Sequence, residues 1–124
     1  MYTIRKEFNF SASHQLEGLQ PEDHPCMRVH GHNYVVTVEM RSPFLNPQDF
    51  VLDYREMEPI KKYLDSTFDH RHLNDVMIPQ PSAENIARVI FDYCKTRYPM
   101  LFAVEVSETP KTTARYEQDF AIKG

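Results

Sequence analysis

Cysteine is scarce in this chain, and long apolar runs are absent. The sequence has only two cysteines among 124 residues, Cys26 and Cys94, and they stand in very different contexts. A structural disulfide is therefore not expected, and a reducing cytoplasm is the expected compartment. No stretch approaches the ~18 consecutive apolar residues of a transmembrane helix. The charged, alternating start MYTIRKEFNF also lacks the pattern of a secretory signal.

Positive charge is not in excess either, since 14 Lys and Arg stand against 18 Asp and Glu and the formal net charge is -4. No bulk basic field is expected to attract nucleic acid or an anionic membrane, and neither is predicted as a partner. An anionic substrate would have to be bound by local groups. The apolar fraction of 41% is that of a globular protein. The length predicts one domain over residues 1–124.

Four segments alternate between apolar and polar residues with the period of a β-strand. In residues 2–14 the even positions are mostly apolar, and residues 30–41 repeat this pattern. Residues 101–109 and 112–120 form a second pair of predicted strands, joined by a Pro-Lys turn.

The segment between the two strand pairs is predicted to contain two helices. Pro59 conflicts with a helix interior, so the first regular helix is expected to begin near Glu58. The second is capped by Ser82, shows an apolar stripe and ends before Pro99. Residues 68–81 are predicted to be a loop. The order β-β-α-α-β-β indicates an α+β fold, with an antiparallel sheet and two helices on one face.

The apolar face of three predicted strands continues into a titratable residue at the polar end. These residues are His14 on the first strand, His30 and His32 on the second, and Glu108 on the third. His30 and His32 share a face because they are two residues apart, and Gly31 between them has no side chain. Three imidazoles with an open fourth position suit a catalytic zinc ion. Iron or nickel is also compatible with this donor set, and availability favours zinc.

Other interpretations of these residues stay open. An H-x-H pattern also occurs by chance, and Cys26 with the three histidines could form a closed structural site that catalyses nothing. His24 is expected to be an exposed loop residue. The adjacent Asp69 and His70 could orient an imidazole for proton transfer or could belong to a solvated loop. Glu108, if buried, needs a partner such as a ligand edge with two N–H donors.

Five motifs occur in a fixed order along the chain: FSASH, CMRVHGHNY, FDHRHLND, PSAEN and VSET. Together they resemble the 6-pyruvoyltetrahydropterin synthase superfamily, which includes 6-carboxytetrahydropterin synthase, over essentially the whole chain. The resemblance implies the tunnelling fold, an oligomeric barrel of β-β-α-α-β-β subunits. Two trimers are expected to stack into a homohexamer with active sites between subunits. Barrel closure would also cover the two open edges of a lone sheet.

The resemblance also implies a role for each candidate residue. The zinc ligands would be three imidazoles, those of His14, His30 and His32. Cys26 would be the proton-abstracting base, and Asp69 and His70 would form its partner dyad, reaching in from a neighbouring subunit. The residues implied for pterin binding are Glu108, which would anchor the ring through its 2-amino and N3 hydrogens, and Ser82 and Ala83, which would line the pocket.

The implied substrate is 7,8-dihydroneopterin triphosphate, and two products compete. One reaction eliminates triphosphate and leaves a pyruvoyl side chain. The other releases triphosphate and acetaldehyde and leaves a 6-carboxyl group, as in queuosine precursor synthesis. The C-x-x-x-H-G-H spacing resembles the carboxy-forming group, which we therefore favour, although FSASH is as close to the pyruvoyl-forming side. A non-catalytic zinc-binding or pterin-binding module is the alternative of another class.

Overall fold

The protein folds into a five-stranded mixed sheet with two α-helices against one face, as seen in a computed structural model that describes residues 1–119. The regular elements are β1 Tyr2–His14, β2 His30–Ser42, α1 Glu58–Thr67, β3 Arg71–His72, α2 Ala83–Lys95, β4 Leu101–Thr109 and β5 Thr112–Glu117. Short 3₁₀ turns lie at Pro25–Met27, Tyr54–Met57 and Leu73–Asp75. The predicted α+β class and the order of the four long strands and two helices are confirmed.

The strands lie in the order β3-β1-β2-β4-β5. β1 and β2 pair antiparallel over their whole length, from Tyr2 opposite Ser42 to His14 opposite His30. β4 pairs antiparallel with both β2 and β5. The end of β1, the start of β2 and the end of β4 therefore lie side by side at the same end of the sheet, which brings their polar residues together.

Two predictions about the strands need correction. The segment 68–81 is not entirely loop, because Arg71 and His72 form β3 and pair parallel with Ala12 and Ser13. A strand of two residues is too short to show a period, and this one makes the sheet mixed rather than purely antiparallel. β5 ends at Glu117 rather than at residue 120, which lies outside the described residues.

The core lies between the even-numbered face of the sheet and the helices. Phe10 of β1 stacks on Tyr34 of β2 with ring centroids 4.8 Å apart, and Phe68 also stacks on Phe10 with centroids 5.5 Å apart. The helices add fully buried aliphatic side chains, which are Ile60, Leu64, Ile86 and Ile90. This single apolar cluster fixes the register of the strands, since a slip by one residue would turn every buried side chain to the other face.

Both helices begin where local chemistry predicts. α1 begins at Glu58 with Pro59 in its first turn, where a missing N–H costs nothing. The Ser82 hydroxyl caps α2 by accepting the Asn85 N–H at 3.2 Å, and the helix ends before Pro99. No helix among residues 1–119 is long and apolar enough to cross a membrane.

The odd-numbered face of the sheet carries a lattice of ion pairs, here called the ion-pair lattice. Its members come from four strands and are Arg5, Glu39, Arg41, Glu105, Arg115 and Glu117. Glu39 lies at its centre with a side chain only 5% exposed. Its carboxylate accepts from Arg5 at 2.8 Å and from Arg115 at 2.9 Å. The two faces of the sheet are thus held by different forces, apolar packing on one and paired charge on the other.

Candidate metal and substrate site

Three imidazoles meet where β1 ends and β2 begins, on the same face of the sheet as the core. His14 lies opposite His30 in the β1–β2 ladder, and His32 lies opposite Ala12 on the same face. One ring nitrogen from each histidine lies within 4.8 Å of the other two. His14 is completely buried, and burial lowers the pKa of its imidazole below the ordinary value. A neutral imidazole is the form that binds a metal ion.

Backbone carbonyls fix the tautomers of two of these histidines. His14 Nδ1 donates to the Pro81 carbonyl at 2.6 Å, and His30 Nδ1 donates to the Arg28 carbonyl at 2.7 Å. A carbonyl can only accept, so in the neutral ring the proton is on Nδ1 and Nε2 carries a lone pair. The two Nε2 atoms lie 2.9 Å apart. Two lone pairs at this distance repel each other, and a cation bound by both relieves that repulsion.

His32 gives the second indication of a cation site. Its Nε2 atom is buried and has no hydrogen-bond partner among the described residues. Glu108 Oε2 lies 2.9 Å from this atom, but the pair lacks hydrogen-bond geometry. A buried polar atom without a partner is costly, and metal coordination satisfies it. The three histidines therefore fit a metal ion, and their nitrogen-only donor set with a nearby carboxylate suits zinc.

Glu108 lies where the strand alternation predicts, on the face of the histidines at the end of β4. Its Oε2 atom is also 3.8 Å from His14 Nε2, and its side chain is about a quarter exposed, at 24%. The carboxylate lines one cleft with Ala83 and Thr112 and another with Gly31 and His32. It is therefore accessible to a ligand while it remains beside the three imidazoles.

The two residues predicted from the start of α2 have different environments. Ala83 lines the cleft that contains Glu108, so these two candidates for pterin binding lie together. The Ser82 hydroxyl is occupied by the helix cap. The segment just before the helix contributes in another way, because the Pro81 carbonyl orients His14. Pro81 had no signal in the sequence beyond its place before the helix.

Cys26 lies apart from the metal-ligand group. Among the described residues, the donor atoms close enough to hold one ion are those of three imidazoles, without the Cys26 thiol. Cys26 is in the turn Pro25–Met27, is partly buried and forms no disulfide. Its carbonyl accepts the Leu16 N–H at 2.8 Å, which holds the turn against the end of β1. This arrangement argues against the closed site of four ligands.

His24 was expected to be an exposed loop residue, and the structure corrects this. It is partly buried, and its Nδ1 accepts the Cys26 N–H at 3.1 Å as the cap of the turn. The sequence contains a signal for this arrangement, because a side-chain acceptor followed directly by proline is typical of a helical N-terminus. His24 thus holds the backbone of Cys26 in place.

Asp69 and His70 form the predicted pair, but on an exposed part of the surface. His70 Nδ1 donates to Asp69 Oδ2 at 2.8 Å, and the Ser11 N–H donates to Asp69 Oδ1 at 2.8 Å. These donors, of which the Ser11 N–H has the largest effect, hold the pKa of Asp69 below its usual range. The His70 side chain is 83% exposed. It lines a shallow cleft with Ser13 and Asn33 of the odd-numbered face.

The backbone of His70 is in the left-handed region, with φ of 59°. This conformation costs a histidine about 1 kcal/mol or more and persists only where surrounding contacts impose it. Here the His70 N–H donates to the Ser11 carbonyl at 2.6 Å, and Asp69 binds the same residue. These two contacts with Ser11 therefore fix the direction in which the His70 side chain leaves the backbone.

The fold and the cluster of three imidazoles define an α+β protein that could bind a metal ion where the ends of β1 and β4 meet the start of β2. A family model described as 6-pyruvoyl tetrahydropterin synthase matches residues 3–119. The chain belongs to this family of pterin synthases.

Similar proteins have names from both branches of the family. A 6-carboxy-5,6,7,8-tetrahydropterin synthase of Synechocystis is 34% identical, covering 94% of this chain and 93% of that protein. A 6-pyruvoyl tetrahydrobiopterin synthase of Drosophila melanogaster is 29% identical, covering 99% and 83%. The solved structure of Caenorhabditis elegans 6-pyruvoyl tetrahydropterin synthase superposes with a TM-score of 0.83 at 27% identity, covering 95% of this chain and 96% of that one. The family is shared, while the product in the name differs among these relatives.

Proposed function

We propose that this protein is a zinc-dependent lyase that converts 7,8-dihydroneopterin triphosphate into 6-carboxy-5,6,7,8-tetrahydropterin. The reaction releases triphosphate and acetaldehyde and consumes one water, since cleavage of the side chain must form a carboxyl group and an aldehyde. The observation that carries the proposal is the convergence of three imidazole nitrogens beside the Glu108 carboxylate. Cys26 remains a free thiol outside this ligand group. The Synechocystis relative and an Aquifex aeolicus relative, 30% identical, have the carboxy-forming name.

His14, His30 and His32 would hold the zinc ion. When bound, zinc supplies a Lewis acid that lowers the pKa of coordinated hydroxyls and stabilises charge on a carbonyl oxygen. Cys26 accepts a proton from the substrate side chain, with its backbone held by His24 and Leu16.

The remaining residues bind the pterin and move the second proton. Asp69 holds the proton of His70 on Nδ1, which leaves Nε2 to accept or donate a proton at the substrate. The Glu108 carboxylate has two oxygens and can accept two parallel N–H donors from a pterin edge. Ala83 packs at the same cleft. A ligand bound this way extends from Glu108 towards the three histidines.

We further propose a homohexamer, a dimer of trimers, in which the dyad of one subunit serves the metal site of another. Two observations support it. The His70 side chain is 83% exposed, although a proton-transfer group works best shielded from water. β3 and β5 end the sheet, and a second subunit would pair with these edges. Because Cys26 must be a free thiol to act, we place the enzyme in the reducing cytoplasm.

The pyruvoyl-forming reaction is the second candidate, because the Drosophila relative has that name over nearly the whole chain. The deciding experiment incubates zinc-loaded protein with dihydroneopterin triphosphate and identifies the products by mass. Acetaldehyde with a carboxypterin supports the proposal, and a pyruvoyl product without acetaldehyde establishes the second candidate. Bound zinc without turnover of either kind indicates a non-catalytic module.

The role of Cys26 is tested in the same assay. Cys26→Ala should lower turnover about 100-fold or more, as expected for loss of a general base, and should retain zinc. Cys94→Ala is the matched control, because this second thiol is buried in the core at 1% exposure and should not affect turnover. Loss of zinc with unchanged turnover in Cys26→Ala would contradict the proposed role.

A further inference from the structure

The backbone directly after His14 is held by a side chain from a distant segment. Asn74 Oδ1 accepts the Gln15 N–H at 2.9 Å, and Asn74 Nδ2 donates to the Gln15 carbonyl at 2.9 Å. These two bonds, here called the amide clamp, satisfy both backbone groups of Gln15. A primary amide has the same donor and acceptor as a peptide group, so Asn74 replaces the strand partner that Gln15 lacks.

The clamp is needed because the ladder ends at this point. The last pair between β1 and β2 is His14 with His30. The other neighbour of β1, β3, pairs only as far as Ser13. Gln15 follows a metal-ligand candidate at the open end of a strand, where backbone ordinarily frays. Asn74 therefore limits the motion of the residue next to His14.

The same short segment also holds Cys26. The N–H of Leu16, the next residue, donates to the Cys26 carbonyl at 2.8 Å. The Glu17 N–H donates to Gln80 Oε1 at 2.7 Å. Three consecutive residues after His14 thus bind two other parts of the chain, the connection between β3 and α2 and the turn Pro25–Met27. A displacement of Gln15 is transmitted to His14 on one side and to the Cys26 turn on the other.

We propose that Asn74 is a positioning residue that sets both the metal-binding geometry of His14 and the position of the Cys26 thiol. This inference rests on the metal site of the proposed function. Asn74 lies in the turn Leu73–Asp75, directly after β3 and five residues after Asp69. The clamp therefore links the segment with the Asp69–His70 pair to the segment with the metal and the thiol.

The test uses Asn74→Ala and Asn74→Asp, with Asn9→Ala as the matched control on an exposed part of β1. Zinc affinity is measured by competition with a chromogenic chelator. The rate at which iodoacetamide alkylates Cys26 is measured at saturating zinc, and buried Cys94 does not contribute in the folded protein. Far-UV circular dichroism and thermal unfolding report whether each variant is folded.

Asn74→Ala should weaken zinc binding about tenfold or more, in the range found when partners outside the ligand shell are removed. Alkylation of Cys26 should become severalfold faster because its turn loses support. Asn9→Ala should match the wild type in both assays. A folded Asn74→Ala protein with wild-type zinc affinity and wild-type alkylation would overturn the proposal.

If Asn74→Ala does not fold, the zinc affinity of Asn74→Asp tests the proposal. Aspartate keeps the acceptor for the Gln15 N–H but places a second oxygen against the Gln15 carbonyl, so zinc affinity should still fall. Unchanged zinc affinity in this variant would overturn the proposal. Neither assay uses the pterin substrate, so a failure of the proposed reaction would leave this test unaffected and would be recognised separately.

Discussion

Glu39 should be the charged residue on which stability depends most, and Glu39→Gln is the variant that tests this. Its side chain is only 5% exposed, yet three arginines surround it, Arg5, Arg41 and Arg115. These donors, of which Arg115 has the largest effect, lower the pKa of the Glu39 carboxyl from 4.5 to about 2. Replacing the carboxylate with an amide removes the negative charge and leaves the guanidinium groups partly unpaired.

The size of the effect follows from the shift in pKa. Lowering the pKa of Glu39 from 4.5 to about 2 stabilises the folded state by at most ~3 kcal/mol, since a tenfold change in proton affinity corresponds to about 1.36 kcal/mol. Arg5 is about half exposed, at 48%, so solvent screening reduces the expected loss to about 2 kcal/mol. For a chain of 124 residues this corresponds to a decrease in melting temperature of roughly 8 °C.

The assay is urea unfolding of wild type and Glu39→Gln at pH 7 and pH 3. Because the folded-state pKa of Glu39 is depressed, its stabilisation is complete above about pH 4.5 and is lost as the pH falls towards 2. At pH 3 the wild type should retain about two-fifths of this contribution. The difference in free energy of unfolding between wild type and Glu39→Gln should therefore be smaller at pH 3 than at pH 7.

Glu117→Gln is the control for this prediction. Glu117 belongs to the same ion-pair lattice and bonds to Arg115, but its side chain is 52% exposed. Its replacement should cost about 0.5 kcal/mol or less. The reasoning is refuted if the free energy of unfolding of Glu39→Gln lies within about 0.5 kcal/mol of the wild-type value at pH 7. It is also refuted if the loss of unfolding free energy is as large at pH 3 as at pH 7.

Two further predictions concern the site. His30→Ala should weaken zinc binding at least 100-fold in chelator competition because one of three ligands is lost, whereas His72→Ala, whose ring bonds to Ser13, should not; equal affinities in the two variants would exclude His30 as a ligand. His24→Ala should speed alkylation of Cys26 and lower turnover because the turn loses its cap, and His24→Asn should restore both because Asn also caps. Identical behaviour of His24→Ala and wild type would show that the cap has no effect on the thiol.

Much of the candidate site could be predicted because strand geometry is periodic. In β1 and β2 the apolar alternation determines which residues face the core, and the same alternation assigns His14, His30 and His32 to one face. The position of Glu108 beside them follows from the register of β4 with β2. The start of α2 follows from the Ser82 cap, which is a local interaction.

Other parts of the site depend on a few hydrogen bonds between distant segments and could not be predicted. β3 has two residues and no period, and it is placed by its pairing with Ala12 and Ser13. Asn74 reaches Gln15 across 59 positions in the chain. The position of His70, directly before β3, likewise follows from the pairing of β3 with β1. No local pattern encodes contacts of this kind.

The sequence alone determined which side chains of this protein share a face, since alternation and helix capping act over a few residues and are written directly in their order. Only the tertiary structure decided how firmly those side chains are held. The tautomers of His14 and His30, the cap on the Cys26 turn and the amide clamp on Gln15 depend on carbonyls and amides that meet only after the chain has folded. The backbone carbonyl is the same in every residue type and the backbone N–H in all but proline, so the sequence does not show which of these groups will meet.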